Sequence, residues 1–166
     1  MKTFRYIMSL LLMSVILTSC NKDGDLIFLS SPEGGDLTAT TSDVVLDKSM
    51  KTTIVLSFAW TQSKLQVSDG SMSAPNILET TMQASTSEDF SGTIVESSES
   101  SLSKAYTGSE LNTLAKNLGL TAGTSVPVYF RLSVKSGDNM TPVYSNVEKV
   151  NITSYTIDMT VGFVLD

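Results

Sequence analysis

The sequence predicts an all-β sandwich with one short capping helix, preceded by a cleaved export signal. Three observations lead to this fold class. The chain has 166 residues, which suits one domain with a short remainder. Ser and Thr make up roughly 28% of it, a composition that favours strands and turns over long helices. Several short segments alternate apolar and polar residues, as strands with one buried face do.

Composition also excludes several classes of function. The formal charge is −6, and it becomes −8 when Lys2 and Arg5 leave with the export signal, so binding to nucleic acid through basic residues is disfavoured. The chain has no histidine, which removes Ser-His-Asp and Cys-His nucleophiles and His-ligated zinc. A single cysteine allows no internal disulfide and no thiolate metal cluster. The sequence therefore predicts a protein that is not an enzyme and holds no cofactor or metal.

Residues 1–19 are predicted to be a lipoprotein signal peptide. Lys2 and Arg5 begin it, and residues 7–17 form an apolar run too short to span a bilayer. Residues 17–20 (Leu-Thr-Ser-Cys) resemble the bacterial lipobox. This resemblance implies cleavage before Cys20 and a diacylglycerol thioether on its thiol. Acyl chains there would hold the protein at the outer membrane without a transmembrane helix.

Residues 20–25 are predicted to be the lipidated cysteine and a polar tether. Asp23 and Asp25 fit two interpretations. They look like the acidic surface-export signal of Bacteroidota lipoproteins, interrupted here by a glycine, or they belong to a solvated linker. The ligand spacing of a calcium loop does not follow them, so no metal site is predicted.

The predicted sandwich occupies residues 26–155 and contains about seven short strands. The clearest is 52–60, whose apolar face ends at Trp60. A second, 126–135, alternates over its whole length. The other predicted strands are 26–29, 44–46, 77–85, 93–96 and 146–153. Since each sheet must bury its apolar side, we expect two sheets packed face to face.

One helix interrupts the strands. Thr107 and Glu110 have the spacing of a capping box, in which two side chains satisfy free amides at a helix start. Gly119 is placed to end the helix in a left-handed conformation. The apolar residues between them, at helical spacing, are Leu111, Leu114, Ala115 and Leu118. A helix this short is marginal alone, so we expect it to cover one end of the core.

Five motifs follow one another in a defined order: 58–60 (Phe-Ala-Trp), 106–119, 120–123 (Leu-Thr-Ala-Gly), 128–134 and 144–146 (Tyr-Ser-Asn). In order and spacing they resemble the N-terminal domain of the SusE outer-membrane lipoprotein family of Bacteroidota. This resemblance implies an immunoglobulin/fibronectin III-like module beside the lipid anchor, in a starch-utilisation-type system. It also implies two partners, an outer-membrane polysaccharide transporter and a polysaccharide bound by downstream modules that are missing here.

Residues 156–166 begin a further alternation, with Ile157, Met159, Val161 and Phe163 on one side. A lone strand cannot bury its face. The segment therefore either adds to the sandwich edge or starts a next domain that is truncated here, and we expect the second.

Exposed aromatic rings are the usual platform for neutral sugars, and they are few in this sequence. Trp60 shares a face with Phe58, so we expect it in the core. Tyr129 and Arg131 should point outward together, but such a pair usually packs against strand neighbours. The sequence therefore predicts no glycan-binding residue, and Cys20 is the one site residue that it indicates.

Paired carboxylates would be needed for a glycosidase. Glu96 with Glu99, and Glu88 with Asp89, lie among serines that favour turns. We expect residues 96–103 to form a mobile loop and predict no catalytic pair.

Three functions of different classes fit these patterns. The first is a surface-glycan-binding type of lipoprotein, or its anchor-proximal spacer. The second is a structural or adhesive cell-surface lipoprotein whose fibronectin-like domain binds another protein. The third, a glycoside hydrolase fragment, is disfavoured by the lack of placed acids.

The lipobox generates a first testable prediction. Cys20→Ala removes the only thiol that can carry a lipid, so labelled palmitate incorporation should fall to background. The mutant should also leave the detergent phase on partitioning. Label that survives in the mutant would refute lipidation at this residue.

Overall fold

The computed structural model describes residues 30, 32, 35–69, 77–138 and 140–156. Within them lie nine strands, one α-helix and a short 3-10 turn, Lys48–Met50. The strands are β1 (Leu37–Ala39), β2 (Asp43–Val45), β3 (Ile54–Trp60), β4 (Glu79–Ser85), β5 (Ile94–Glu99), β6 (Ser103–Thr107), β7 (Ser125–Lys135), β8 (Val143–Tyr144) and β9 (Glu148–Thr153). The helix α1 spans Gly108–Asn117, between β6 and β7.

The strands form two sheets. One has the order β1-β3-β6, and the other has the order β2-β9-β7-β4-β5, with β8 paired to β7. Among the described strands, β2 and β9 pair in parallel and all other pairs are antiparallel. Short antiparallel strands in two sheets are typical of immunoglobulin-like sandwiches. The predicted all-β sandwich with one short helix is confirmed.

The core lies between the sheets, where three aromatic rings meet. Phe58 on β3 and Phe130 on β7 have ring centroids 4.7 Å apart. Tyr106 on β6 stands edge-on to Phe58, at 6.3 Å and 87°. Aromatic pairs in such geometry stabilise a core beyond the burial of their area. Other buried residues around them include Leu56, Met82, Leu111, Val128, Leu132, Val150 and Ile152.

The long predicted strands are confirmed, whereas three short ones, β1, β6 and β8, were missed. Strands β1 and β6 contain Thr, Ala, Ser and Lys, and they carry little hydrophobic alternation. The mobile loop predicted at 96–103 is wrong. Glu96–Glu99 belong to β5, and β6 begins at Ser103, because these serine-rich segments pair with β4 and β3 through their backbones. The predicted strand 26–29, the signal peptide 1–19, the tether 20–25 and the alternation 157–166 lie outside the described residues.

Helix α1 begins as predicted. The Thr107 amide donates to the Glu110 carboxylate at 2.8 Å, and the Glu110 amide donates to the Thr107 hydroxyl at 3.3 Å. Gly119 follows the helix with φ +77°, the left-handed conformation that glycine adopts without strain. At Gly108 a Cβ would stand 2.4 Å from the Met50 carbonyl oxygen, so only glycine fits where α1 meets the 3-10 turn.

The burial of Trp60 leads to a testable prediction about the stability of the core. The Trp60 side chain is 7% exposed and belongs to the core, as expected. Trp60→Ala should lower the free energy of unfolding by about 3–5 kcal/mol, because the cavity left behind cannot close fully. Chemical denaturation measures this loss. Ile54→Ala is the matched control on the same strand, since Ile54 is 62% exposed and should change little. Equal stability of the two variants would contradict the assignment.

Candidate functional site

Cys20, the predicted lipid attachment site, lies outside the described residues, and its modification stays a prediction. Within the described ranges, no helix is long and apolar enough to cross a membrane. The same part of the chain holds no cluster of three or more acidic, cysteine or histidine residues that could bind a metal ion. The candidate surfaces are therefore the outer sheet face and the clefts at the sheet edges.

The outer face is the side of the six-stranded sheet that points away from the core. The side chains of Gln83, Glu96, Tyr129, Arg131 and Tyr144 lie on it, on β4, β5, β7 and β8. The strand registers bring Gln83 opposite both Glu96 and Arg131, and bring Tyr144 opposite Ser133. Polar and aromatic groups thus gather at the centre of this face.

Arg131 is the centre of the outer face. Its guanidinium carbon lies 3.9 Å from the centroid of the Phe90 ring and 3.7 Å from that of the Tyr144 ring. Two rings can approach one planar group this closely only from its opposite sides. The cation is therefore stacked between the rings, an arrangement that arginine accepts better than lysine.

A hydrogen-bonded chain continues from this stack across the sheet. The Arg131 Nε donates to Gln83 Oε1 at 2.8 Å, and Gln83 Nε2 donates to Glu96 Oε1 at 2.7 Å. Gln83 is buried, and both ends of its amide are used. No buried side-chain nitrogen or oxygen in the described residues lacks a hydrogen-bond partner. The polar groups of the outer face therefore bind one another.

Phe90 was missed by sequence reasoning. It lies in the turn between β4 and β5 with φ +57°, which is uncommon for an aromatic residue and costs conformational energy. Its ring is only 6% exposed because it packs on Arg131. The signal available in the sequence was a single phenylalanine within a polar turn. The partners of Arg131 are thus Phe90 and Tyr144, and Tyr129 is not one of the rings stacked on it.

The carboxylates do not form a catalytic pair. Glu96 points to the outer face, and Glu99 is an odd number of residues further along β5, so it points to the opposite side. There Glu99 pairs with Lys104 at 3.1 Å. Asp89 lies in the turn before β5, where hydrogen bonds from Ser87 and Ser91 lower its pKa to about 2. These are structural contacts of strand and turn.

A cleft of about 290 Å³ lies between β5, β6 and the first turns of α1. Tyr106 and Lys104 line it, and the Lys104 ammonium lies 5.5 Å from the centre of the Tyr106 ring. Burial raises the pKa of Tyr106 to about 12, so its hydroxyl stays protonated near neutral pH and is no general base. The carboxylates that line the cleft are engaged in structural contacts, Glu110 in the capping box with Thr107 and Glu96 with the Gln83 amide.

Fold and surface together define an immunoglobulin-like sandwich module whose polar and aromatic groups are largely engaged with each other. Comparison with family models gives a match to the SusE outer membrane protein family over residues 22–133. Since this match covers more than half of the sequence, the chain belongs to that family, and its location is the outer membrane. The resemblance inferred from motif order is confirmed. Comparisons with curated proteins and with solved structures give no match.

The stack on the outer face generates a prediction. Arg131→Ala should lower the free energy of unfolding by about 2 kcal/mol, since it removes two cation–π contacts and one hydrogen bond. Arg131→Lys keeps the charge but loses the planar stack, and should recover only a minor part of the loss. Lys149→Ala, on the exposed surface of neighbouring β9, is the control for removal of a positive charge. Chemical denaturation of the three variants measures these effects, and full rescue by lysine would contradict the stacking argument.

Proposed function

We propose that this chain is a non-catalytic lipoprotein of a starch-utilisation-type polysaccharide uptake system and supplies the anchor-proximal spacer of a glycan-binding protein. Membership of the SusE outer membrane protein family supports the location and the type of system. The lipobox supports attachment through Cys20, with residues 21–25 as tether. In this proposal the polysaccharide is bound by modules beyond this domain, next to an outer-membrane polysaccharide transporter.

The positions of the aromatic side chains support the spacer role. A neutral sugar has no charge to bind, so its capture depends on free ring faces with polar groups beside them. In the described residues, Phe58, Trp60, Tyr106 and Phe130 are in the core. Phe90 and Tyr144 each give one ring face to Arg131. The aromatic surface that a sugar could reach on the outer face is therefore limited to the half-buried ring of Tyr129 and the second side of Tyr144, which is 43% exposed.

This role predicts that the mature chain binds no neutral polysaccharide. Isothermal titration of the chain from Cys20 onward against a panel of soluble polysaccharides should give no heat beyond dilution. Tyr144→Ala and Tyr129→Ala should behave like the parent, because neither ring forms a sugar platform.

A micromolar dissociation constant for any member of the panel, abolished by Tyr129→Ala or Tyr144→Ala in a folded protein, would overturn the spacer role. It would move the glycan site into this domain. Arg131→Lys serves as a further control there, since it changes the stack beneath Tyr144 and leaves the Tyr144 ring in place.

A further inference from the structure

The first and last strands of the six-stranded sheet run in the same direction. Strand β2 pairs in parallel with β9, through Asp43 opposite Asn151 and Val45 opposite Thr153. The Asn151 amide donates to the Ser42 carbonyl at 2.8 Å, and the Leu46 amide donates to the Thr153 carbonyl at 2.9 Å. Tension on the two chain ends pulls β2 toward its N-terminal end and β9 toward its C-terminal end. The two parallel strands are therefore pulled past each other in opposite directions. The bonds between them are then loaded together in shear, and they cannot open one at a time.

An asparagine holds the chain where it enters the sandwich. The Leu37 amide donates to Asn146 Oδ1 at 2.7 Å, and Asn146 Nδ2 donates to the Leu37 carbonyl at 2.9 Å. Leu37 is the first residue of β1 and is 2% exposed. Asn146 lies two residues before β9 begins at Glu148. This side chain therefore ties the first strand to the segment that leads into the last one.

A second asparagine holds the chain where it leaves the sandwich. The Tyr155 amide donates to Asn112 Oδ1 at 2.9 Å, and Asn112 Nδ2 donates to the Tyr155 carbonyl at 3.1 Å. Asn112 is on α1 and is 2% exposed. The Gly123 amide also donates to the Ser154 carbonyl at 2.8 Å. The chain beyond β9 is thus bonded to the helix and to the turn that precedes β7.

The same bonding pattern therefore occurs at both ends. In each case one primary amide satisfies both the N–H and the C=O of a single backbone residue. Asn151 adds a side-chain bond of 2.8 Å from its Nδ2 to the Asp43 carboxylate, across the β2–β9 pair. All of these contacts lie on the route by which tension would pass between the two ends of the domain.

We propose that these contacts form a mechanical clamp, which lets the sandwich bear tension applied between its N-terminal and C-terminal ends without unfolding. The inference rests on the proposed spacer role, in which one end is held at the membrane and the other leads toward bound polysaccharide. The clamp consists of the β2–β9 pair and the backbone contacts of Asn112 and Asn146. A sandwich needs no helix to close its sheets. The clamp gives a reason for the bonds between α1 and the segment that follows β9.

Single-molecule measurement at constant force tests the clamp. The chain from Cys20 onward is held by the Cys20 thiol and by a tag after Asp166, so that force acts along the proposed route. Asn112→Ala and Asn146→Ala should each shorten the lifetime under load about fivefold, which corresponds to ~1 kcal/mol of unfolding barrier. Asp43→Ala, a surface change that leaves the core intact, should also shorten the lifetime under load.

Gln83→Ala is the matched control. It also removes a side-chain amide that makes two hydrogen bonds, but those bonds join β5, β4 and β7, away from the β2–β9 pair. It should lower stability in denaturant and leave the lifetime under end load unchanged. Lifetimes that are the same for the parent, the asparagine variants and Asp43→Ala would overturn the clamp, as would an equal shortening by Gln83→Ala.

The outcome is separable from that of the spacer proposal. If the titrations show that this domain binds glycan, the spacer proposal is rejected. The force measurements would still test the clamp. Lifetimes insensitive to the asparagines, in a chain that binds no glycan, would reject the clamp alone.

Discussion

The contact between Phe58 and Phe130 joins the two sheets, and the rest of the structure depends on it. Each ring stands at the centre of its sheet, on β3 and on β7, so the pair fixes how the sheets face each other. A sheet with one apolar side is unstable until that side is covered. Once these central strands are packed, Tyr106 and the leucines of α1 close the remaining gap, and the outer strands add by backbone pairing.

Outside the aromatic core, polar side chains satisfy the remaining hydrogen-bonding groups. Gln83 joins Arg131 to Glu96, and Asn112 and Asn146 satisfy backbone groups that no neighbouring strand reaches. An amide carries both a donor and an acceptor, so it can bridge two partners without bringing a charge into a partly buried place. The surface is therefore ordered by its own contacts. Such a surface is consistent with the spacer role proposed above.

The sequence allowed most of the fold to be predicted, because its long strands and its helix follow regular periods. Strand β7 alternates over eleven residues, and the capping box at Thr107 is a local pattern of four residues. Strands β1 and β6 lack this signal, since their small polar residues hardly distinguish one face from the other. The stack around Arg131 was inaccessible for another reason. Phe90 and Arg131 are far apart in sequence, and their contact depends on a backbone conformation at Phe90 that its residue type does not indicate.

The pairing of β2 with β9 also sets the order in which the domain can be completed. The bond between Asp43 and Asn151 spans 108 residues, almost the full length of the sandwich. Contacts between residues so distant in sequence form late, because a long loop must close before they stabilise anything. A ribosome releases β2 long before β9 exists. Until β9 is synthesised, β2 therefore lacks the strand with which it pairs in the six-stranded sheet, whereas the β3–β6 and β4–β5 pairs need no later strand.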